Sequence, residues 1–127
     1  MSTLKVNNIQ TASGGSNSTP EQIEQGRAKA WVNLNGTGTV AIRDSFNVGS
    51  ITDVGTGQYQ ANFTNNMSDA NYAVSCAAMN GVNIGTGTAQ FNVTWYALSS
   101  SIKVGTWAQT SGSYADRDRV SIIIFGD

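Results

Sequence analysis

The chain has no histidine. That removes the commonest general base, the commonest metal ligand and the usual pH switch. Ser–His and Cys–His nucleophile pairs are excluded on the same ground. There is one cysteine, Cys76, so no internal disulfide forms and no cysteine-based zinc site exists. Lying between Ser75 and Ala77 in a strand-like stretch, Cys76 reads as a small buried hydrophobe. Proline occurs once, at Pro20, and charged residues make up 12% of the chain. That is about half the usual charged share. A net charge of −1 creates no field that gathers DNA, RNA or an anionic membrane, so no nucleic-acid partner is expected. No stretch approaches the ~20 apolar residues of a membrane span, so no membrane insertion is expected. The opening Met1-Ser2-Thr3-Leu4-Lys5-Val6 lacks a signal peptide's apolar core. A protein of this kind working outside cells leaves by another route, such as lysis. Nothing in the composition calls for a cofactor or a metal.

What is present is a pattern of strands and tight turns. The 127 residues, with fourteen glycines, suit one domain with a real core. Gln58-Tyr59-Gln60-Ala61-Asn62-Phe63 and Phe91-Asn92-Val93-Thr94-Trp95-Tyr96 alternate apolar with polar residues, as half-buried strands do. The polar members are Gln, Asn and Thr, almost never Lys or Glu. Such a face suits life outside a cell, packing against copies of the same chain, or contact with sugars. Further strands are predicted over Ala30–Asn35, Thr39–Phe46, Val48–Asp53, Tyr72–Ala78, Ser101–Trp107 and Arg119–Phe125. Gly-rich turns such as Asn35-Gly36-Thr37-Gly38 and Val54-Gly55-Thr56-Gly57 separate them. Short strands at close spacing predict a small antiparallel all-β sandwich or barrel.

The N-terminus differs. Leu4, Val6 and Ile9 supply an apolar strip, followed by the flexible Thr11-Ala12-Ser13-Gly14-Gly15-Ser16-Asn17. The strip reads either as a disordered tail or as an arm whose strand, Leu4 to Ile9, pairs with another chain. Thr19-Pro20-Glu21-Gln22 then places Thr at N-cap, Pro at N1 and Gln at N3, the signature of a capping box. Gly26 limits this helix to about two turns. A helix so short needs tertiary support, so it reads as a plug or elbow between arm and body. The expected layout is an arm and hinge over residues 1–18, a short helix over 19–29, and a β-sandwich knob over 30–127.

The last strand carries Val120, Ile122 and Ile124 on one face and Ser121, Ile123 and Phe125 on the other. Both faces are largely apolar. The strand is therefore expected to be covered twice, by two layers of its own fold or by one layer and another subunit. Candidate assembly residues are Leu4, Val6, Ile9, Ile123 and Phe125.

Candidate chemistry is thin. A carboxylate pair for glycoside hydrolysis would come from Asp44, Asp53, Asp69, Asp116 or Asp118. Each lies beside a turn or a basic residue, where Asp ordinarily forms turns or ion pairs, so no enzymatic role is expected. In Asp116-Arg117-Asp118-Arg119 an extended chain puts the acids on one side and the bases on the other, for pairing between strands or subunits. Arg43-Asp44 offers a second pair. Five Asn-x-Ser/Thr sequons, at Asn17, Asn35, Asn62, Asn66 and Asn92, are read as a by-product of Asn/Thr-rich strands. Aromatics carry the remaining clue. Trp95 shares a strand face with Phe91 and Val93 and is expected in the core. Trp107 and Tyr114 flank a loop of small polar residues, and a second loop, Met79 to Thr88, holds Asn80 and Asn83. Sugars bind where an aromatic face meets amides and hydroxyls. Asn80, Asn83, Trp107, Gln109 and Tyr114 are the candidate ligand-binding residues, against the plainer reading of both loops as hairpin tips.

The block from Gly26 to Val48 (GRAKAWVNLNGTGTVAIRDSFNV) and the opening Met1 to Gln10 (MSTLKVNNIQ) resemble segments of tail-fibre-like and other virion structural proteins of marine bacteriophages, cyanophage-type included. The strand Tyr59 to Phe63 and the ending Ile123-Ile124-Phe125-Gly126-Asp127 fit the same pattern. The resemblance carries no catalytic residues. It implies a homotrimer attached to other virion proteins through residues 1–10, with a C-terminal β domain facing outward. It further implies a virion location after synthesis in the host cytoplasm, and a contribution to recognition of a host surface glycan. The alternative is a capsid or tail decoration protein that binds no receptor. A missing fibre shaft leaves both a fibre tip and a small knob open.

Overall fold

The structure, a computed structural model, describes residues 1–79, 90–108 and 111–126, with the backbone alone at 90–95. Among the described residues the strands are β1 (Ile9–Gln10), β2 (Asn17–Ser18), β3 (Ala30–Asn35), β4 (Ala41–Phe46), β5 (Val48–Gly55), β6 (Gln58–Phe63), β7 (Ala73–Met79), β8 (Gln90–Leu98), β9 (Ser101–Ala108), β10 (Ser113–Tyr114) and β11 (Arg119–Phe125), with one helix, α1 (Pro20–Gly26). All pairings are antiparallel. One sheet has the order β4-β3-β11-β7. The other has β5-β6-β9 with β8 along the far edge of β9. The near edge of β9 is shared, β6 opposite Ser101–Gly105 and β10 opposite Trp107 and Ala108.

The chain is thus an all-β sandwich whose sheets do not close into a barrel. Period-2 alternation drives it. On the first sheet Ala30, Val32, Leu34, Val120, Ile122 and Ile124 face inward, each at most 1% exposed. On the second, Tyr59, Ala61, Phe63, Ile102 and Val104 meet them. Burying each large aliphatic side chain contributes about 1.5–3 kcal/mol. Cys76 packs against this core from β7, as expected.

The chain passes from β4 to β5, and so from one sheet to the other, through Asn47 in the left-handed region (φ 55°). Asn tolerates that conformation better than most residues. A bulge in β4 places Asn33 opposite Asp44 and Leu34 opposite Ile42, leaving Arg43 as the extra residue. Arg43 reaches Leu34 O (3.2 Å) and the Asp118 carboxylate (2.7 Å). The second pair expected from Arg43-Asp44 is therefore Arg43 with Asp118; Asp44 instead accepts from Ser45 N (2.9 Å). The predicted alternation of the charged run also breaks, because Arg117 is buried while Arg119 is exposed.

The N-terminal strand is shorter than expected. Strand structure there covers Ile9–Gln10 and not Leu4 to Ile9, and in the single chain it pairs with Asn17–Ser18. α1 has its full capping box: Thr19 Oγ1 accepts from Gln22 N (3.2 Å) and Gln22 Oε1 from Thr19 N (2.9 Å). The helix buries no residue in the single chain.

Candidate functional site

Cross-strand register brings Trp107 and Tyr114 together. They are directly opposed across β9 and β10, with ring centroids 4.9 Å apart at 89°, an edge-to-face pair. Both are half-buried. Ser111 and Ser113 hydroxyls sit 2.9 Å apart at the hairpin tip beside them. Two of the five candidate ligand residues are therefore adjacent. Asn80, Asn83 and Gln109 lie outside the described residues, as do the side chains of Phe91, Val93 and Trp95.

Along the same outer face, Gln60 Nε2 donates to Asn62 Oδ1 (2.7 Å), and Asn62 Nδ2 donates to Ser50 Oγ and Thr52 Oγ1 (3.1 Å each). Lys103 stands in register between Gln60 and Tyr96, which is exposed. This is a face of amides and hydroxyls, as the strand composition predicts.

The opposite outer face is different. Phe46, Trp31, Ile123 and Ser75 are in register across β4, β3, β11 and β7, and Phe125 pairs with Ala73. Ile123 is 40% and Phe125 39% exposed, with Phe46 at 47% and Met79 at 50%. In the single chain the last strand is covered on one face only, and its second apolar face is open. Leu4, Val6 and Ile9 are also exposed, gathered loosely against Pro20 and Ile23 of α1. Sequence reasoning singled out Ile123 and Phe125. It missed Trp31 and Phe46, whose alternation in β3 and β4 carried the signal.

Each of the five candidate carboxylates has a partner. Asp116 Oδ1 accepts from Gly57 N (2.6 Å) and lies 3.4 Å from Tyr59 Oη; Asp118 pairs with Arg43. Asp53 accepts from Gly55 N, Asp44 from Ser45 N, and Asp69 from Asn71 N. The Asn71 backbone bond, then its side chain, holds the Asp69 carboxyl below its ordinary value. These are turn-forming and ion-pairing roles. Among the described residues no group of three His, Cys, Asp or Glu gathers to hold a metal.

A groove that sequence reasoning did not find lies where the sheets meet at the β4–β5 crossing. Arg27 and Lys29 form one wall, Phe46 and Asn47 another, and the loop 64–68 the third, around an open groove of about 560 Å³. Its walls are far apart in sequence, so no local pattern announced it. Among the described residues no helix is long and apolar enough to cross a membrane. Compared with family models, curated proteins and solved structures, the chain has no match.

Proposed function

We infer that the chain is a non-enzymatic structural protein of a bacteriophage virion, of tail-fibre or knob type. Residues 1–10 attach it to other virion proteins, and it assembles as a homotrimer through the outer face of the β4-β3-β11-β7 sheet. The outward end bearing Trp107 and Tyr114 contributes to recognition of a host surface glycan. The reading is motivated by the resemblance of the arm, the Gly26–Val48 block and the C-terminal strand to virion proteins. The open row of Phe46, Trp31 and Ile123, with Phe125, carries the assembly part, because contiguous apolar surface on a small protein marks an interaction site. The amide-rich opposite face supplies the contrast: one side built for contact, the other for water.

Sedimentation at micromolar concentration tests it. A trimer is expected, and a clean monomer overturns the assembly. Binding to host cells with Trp107→Ala and Tyr114→Ala tests the outward end; unchanged binding by both variants removes the receptor role.

One observation favours the decoration-protein reading. Trp107 and Tyr114 are half-buried against each other, as in a hairpin that only stabilises itself. Gold labelling of virions separates the two, with label at fibre tips for the first and on a regular capsid lattice for the second.

A further inference from the structure

We propose that the groove at the β4–β5 crossing binds a carboxylate-bearing saccharide, with Arg27 and Lys29 as the seat for the acid group. The site is separate from Trp107 and Tyr114, and it shares Phe46, on the edge strand β4, with the proposed assembly face.

The groove is preorganised by one residue. Asn47 Nδ2 donates to Lys29 O (3.2 Å) and Asn65 O (3.0 Å), its Oδ1 accepts from Asn65 N (2.8 Å), and its carbonyl accepts from Thr64 N (3.1 Å). All three walls are thereby pinned to a residue in a conformation that few side chains adopt. A volume of about 560 Å³ falls inside the range of small-ligand sites, roughly 300–1,000 Å³.

The electrostatics name the ligand's charged group. Arg27 Nη2 donates to Glu24 Oε1 at 2.9 Å, and Lys29 Nζ donates to the same oxygen. Two cations of the groove's wall thus converge on one carboxylate of α1, which is not itself part of the groove's lining. The Lys29 bond is the main reason the Glu24 carboxyl ionises below its ordinary value, with the Arg27 charge assisting. Glu24 belongs to a helix that buries nothing, so its departure uncovers no core. An incoming carboxylate replaces the Glu24 carboxylate with like for like: the cations keep their charge-assisted bonds, and Glu24 returns to water.

The rest of the groove points to a sugar. Phe46 is 47% exposed and presents an apolar surface to the C–H face of a ring. The exposed amides of Asn65 and Asn66 suit hydroxyls, being both donors and acceptors.

Calorimetric titration of the whole chain with trigalacturonate, maltotriose and triglutamate tests this. Trigalacturonate is expected to bind and neutral maltotriose not to. Arg27→Ala is expected to weaken binding about tenfold, since it removes a charge-assisted contact. Arg27 is exposed, so this variant keeps the fold, which circular dichroism verifies. Asn66→Ala, also at an exposed position, should weaken trigalacturonate several-fold. Glu24→Gln removes the competing carboxylate and is expected to tighten binding about threefold. Absence of trigalacturonate binding, or indifference to Arg27→Ala, overturns the site. Triglutamate binding as tightly as trigalacturonate overturns the sugar and leaves an acidic-peptide seat.

Discussion

Gly36 and Tyr59 occupy one another's space: a Cβ on Gly36 would overlap the Tyr59 hydroxyl, which donates to Gly36 O at 2.9 Å. The same Cβ would lie 2.8 Å from Arg117 O, which accepts from Gly36 N at 2.9 Å. The β3–β4 turn is thus bolted to the segment entering β11 through a fully buried phenol. Gly36→Ala is expected to destabilise by about 1–3 kcal/mol, since both crowding groups are held in place. Tyr59→Phe should cost about 1–3 kcal/mol by leaving the buried Gly36 carbonyl short of a donor. The urea midpoint should fall in both without a change in slope.

Cys76 should be nearly inert while the chain is folded. Burial pushes its thiol up from 9.0 to about 12, so little thiolate forms at mildly alkaline pH. Labelling with a thiol reagent is expected to be slow in buffer and fast in denaturant. Below pH 9 the thiol is protonated in both states and its contribution to stability is intact. As pH climbs from 9 toward 12 the unfolded chain ionises first, and stability falls. Tyr59 and Tyr72, whose phenols burial pushes up from 10.0, add to the loss in the same direction.

The Glu24 clasp responds to acid. Its carboxyl ionises below the ordinary 4.5, chiefly through the bond from Lys29. A lowered carboxyl favours the folded elbow above about pH 4.5, and the effect disappears as pH falls through the folded value. Side-chain NMR signals of Arg27 should shift toward their free positions over that window. Glu24→Gln should abolish the transition.

Ile123→Glu and Phe125→Glu place charges on the open face of β11. Both sites are exposed in the single chain, so a folding cost below about 1 kcal/mol is expected. The assembled species should be lost, read as a fall in sedimentation mass. Assembly that survives both substitutions moves the interface elsewhere, with Leu4, Val6 and Ile9 the next surface to test.

Much of the fold was legible because it is written at short range. Tyr59, Ala61 and Phe63 alternate with Gln58, Gln60 and Asn62, and that period alone put the right three side chains in the core. Thr19, Pro20 and Gln22 announced the helix start because a capping box lies within four residues. The Arg43–Asp118 bridge and the burial of Arg117 were not legible: the first depends on a one-residue bulge opposite Asn33 and Leu34, the second on a bolt formed with the distant Gly36 and Tyr59. At the candidate sites, the adjacency of Trp107 and Tyr114 was legible because a hairpin brings near neighbours together, whereas Arg27, Phe46 and Asn65 were not associated at all.

Alternation, glycine placement and capping are properties of a few consecutive residues, so strand, turn and helix followed directly from the order of amino acids. Which strands became neighbours, and which apolar face was left open, depended on how two sheets close over one another. Val120 and Ile123 are three residues apart and equally apolar, yet one is fully buried and the other 40% exposed. Inter-sheet packing covers a single face of each strand, and local sequence holds no information about what, if anything, covers the second.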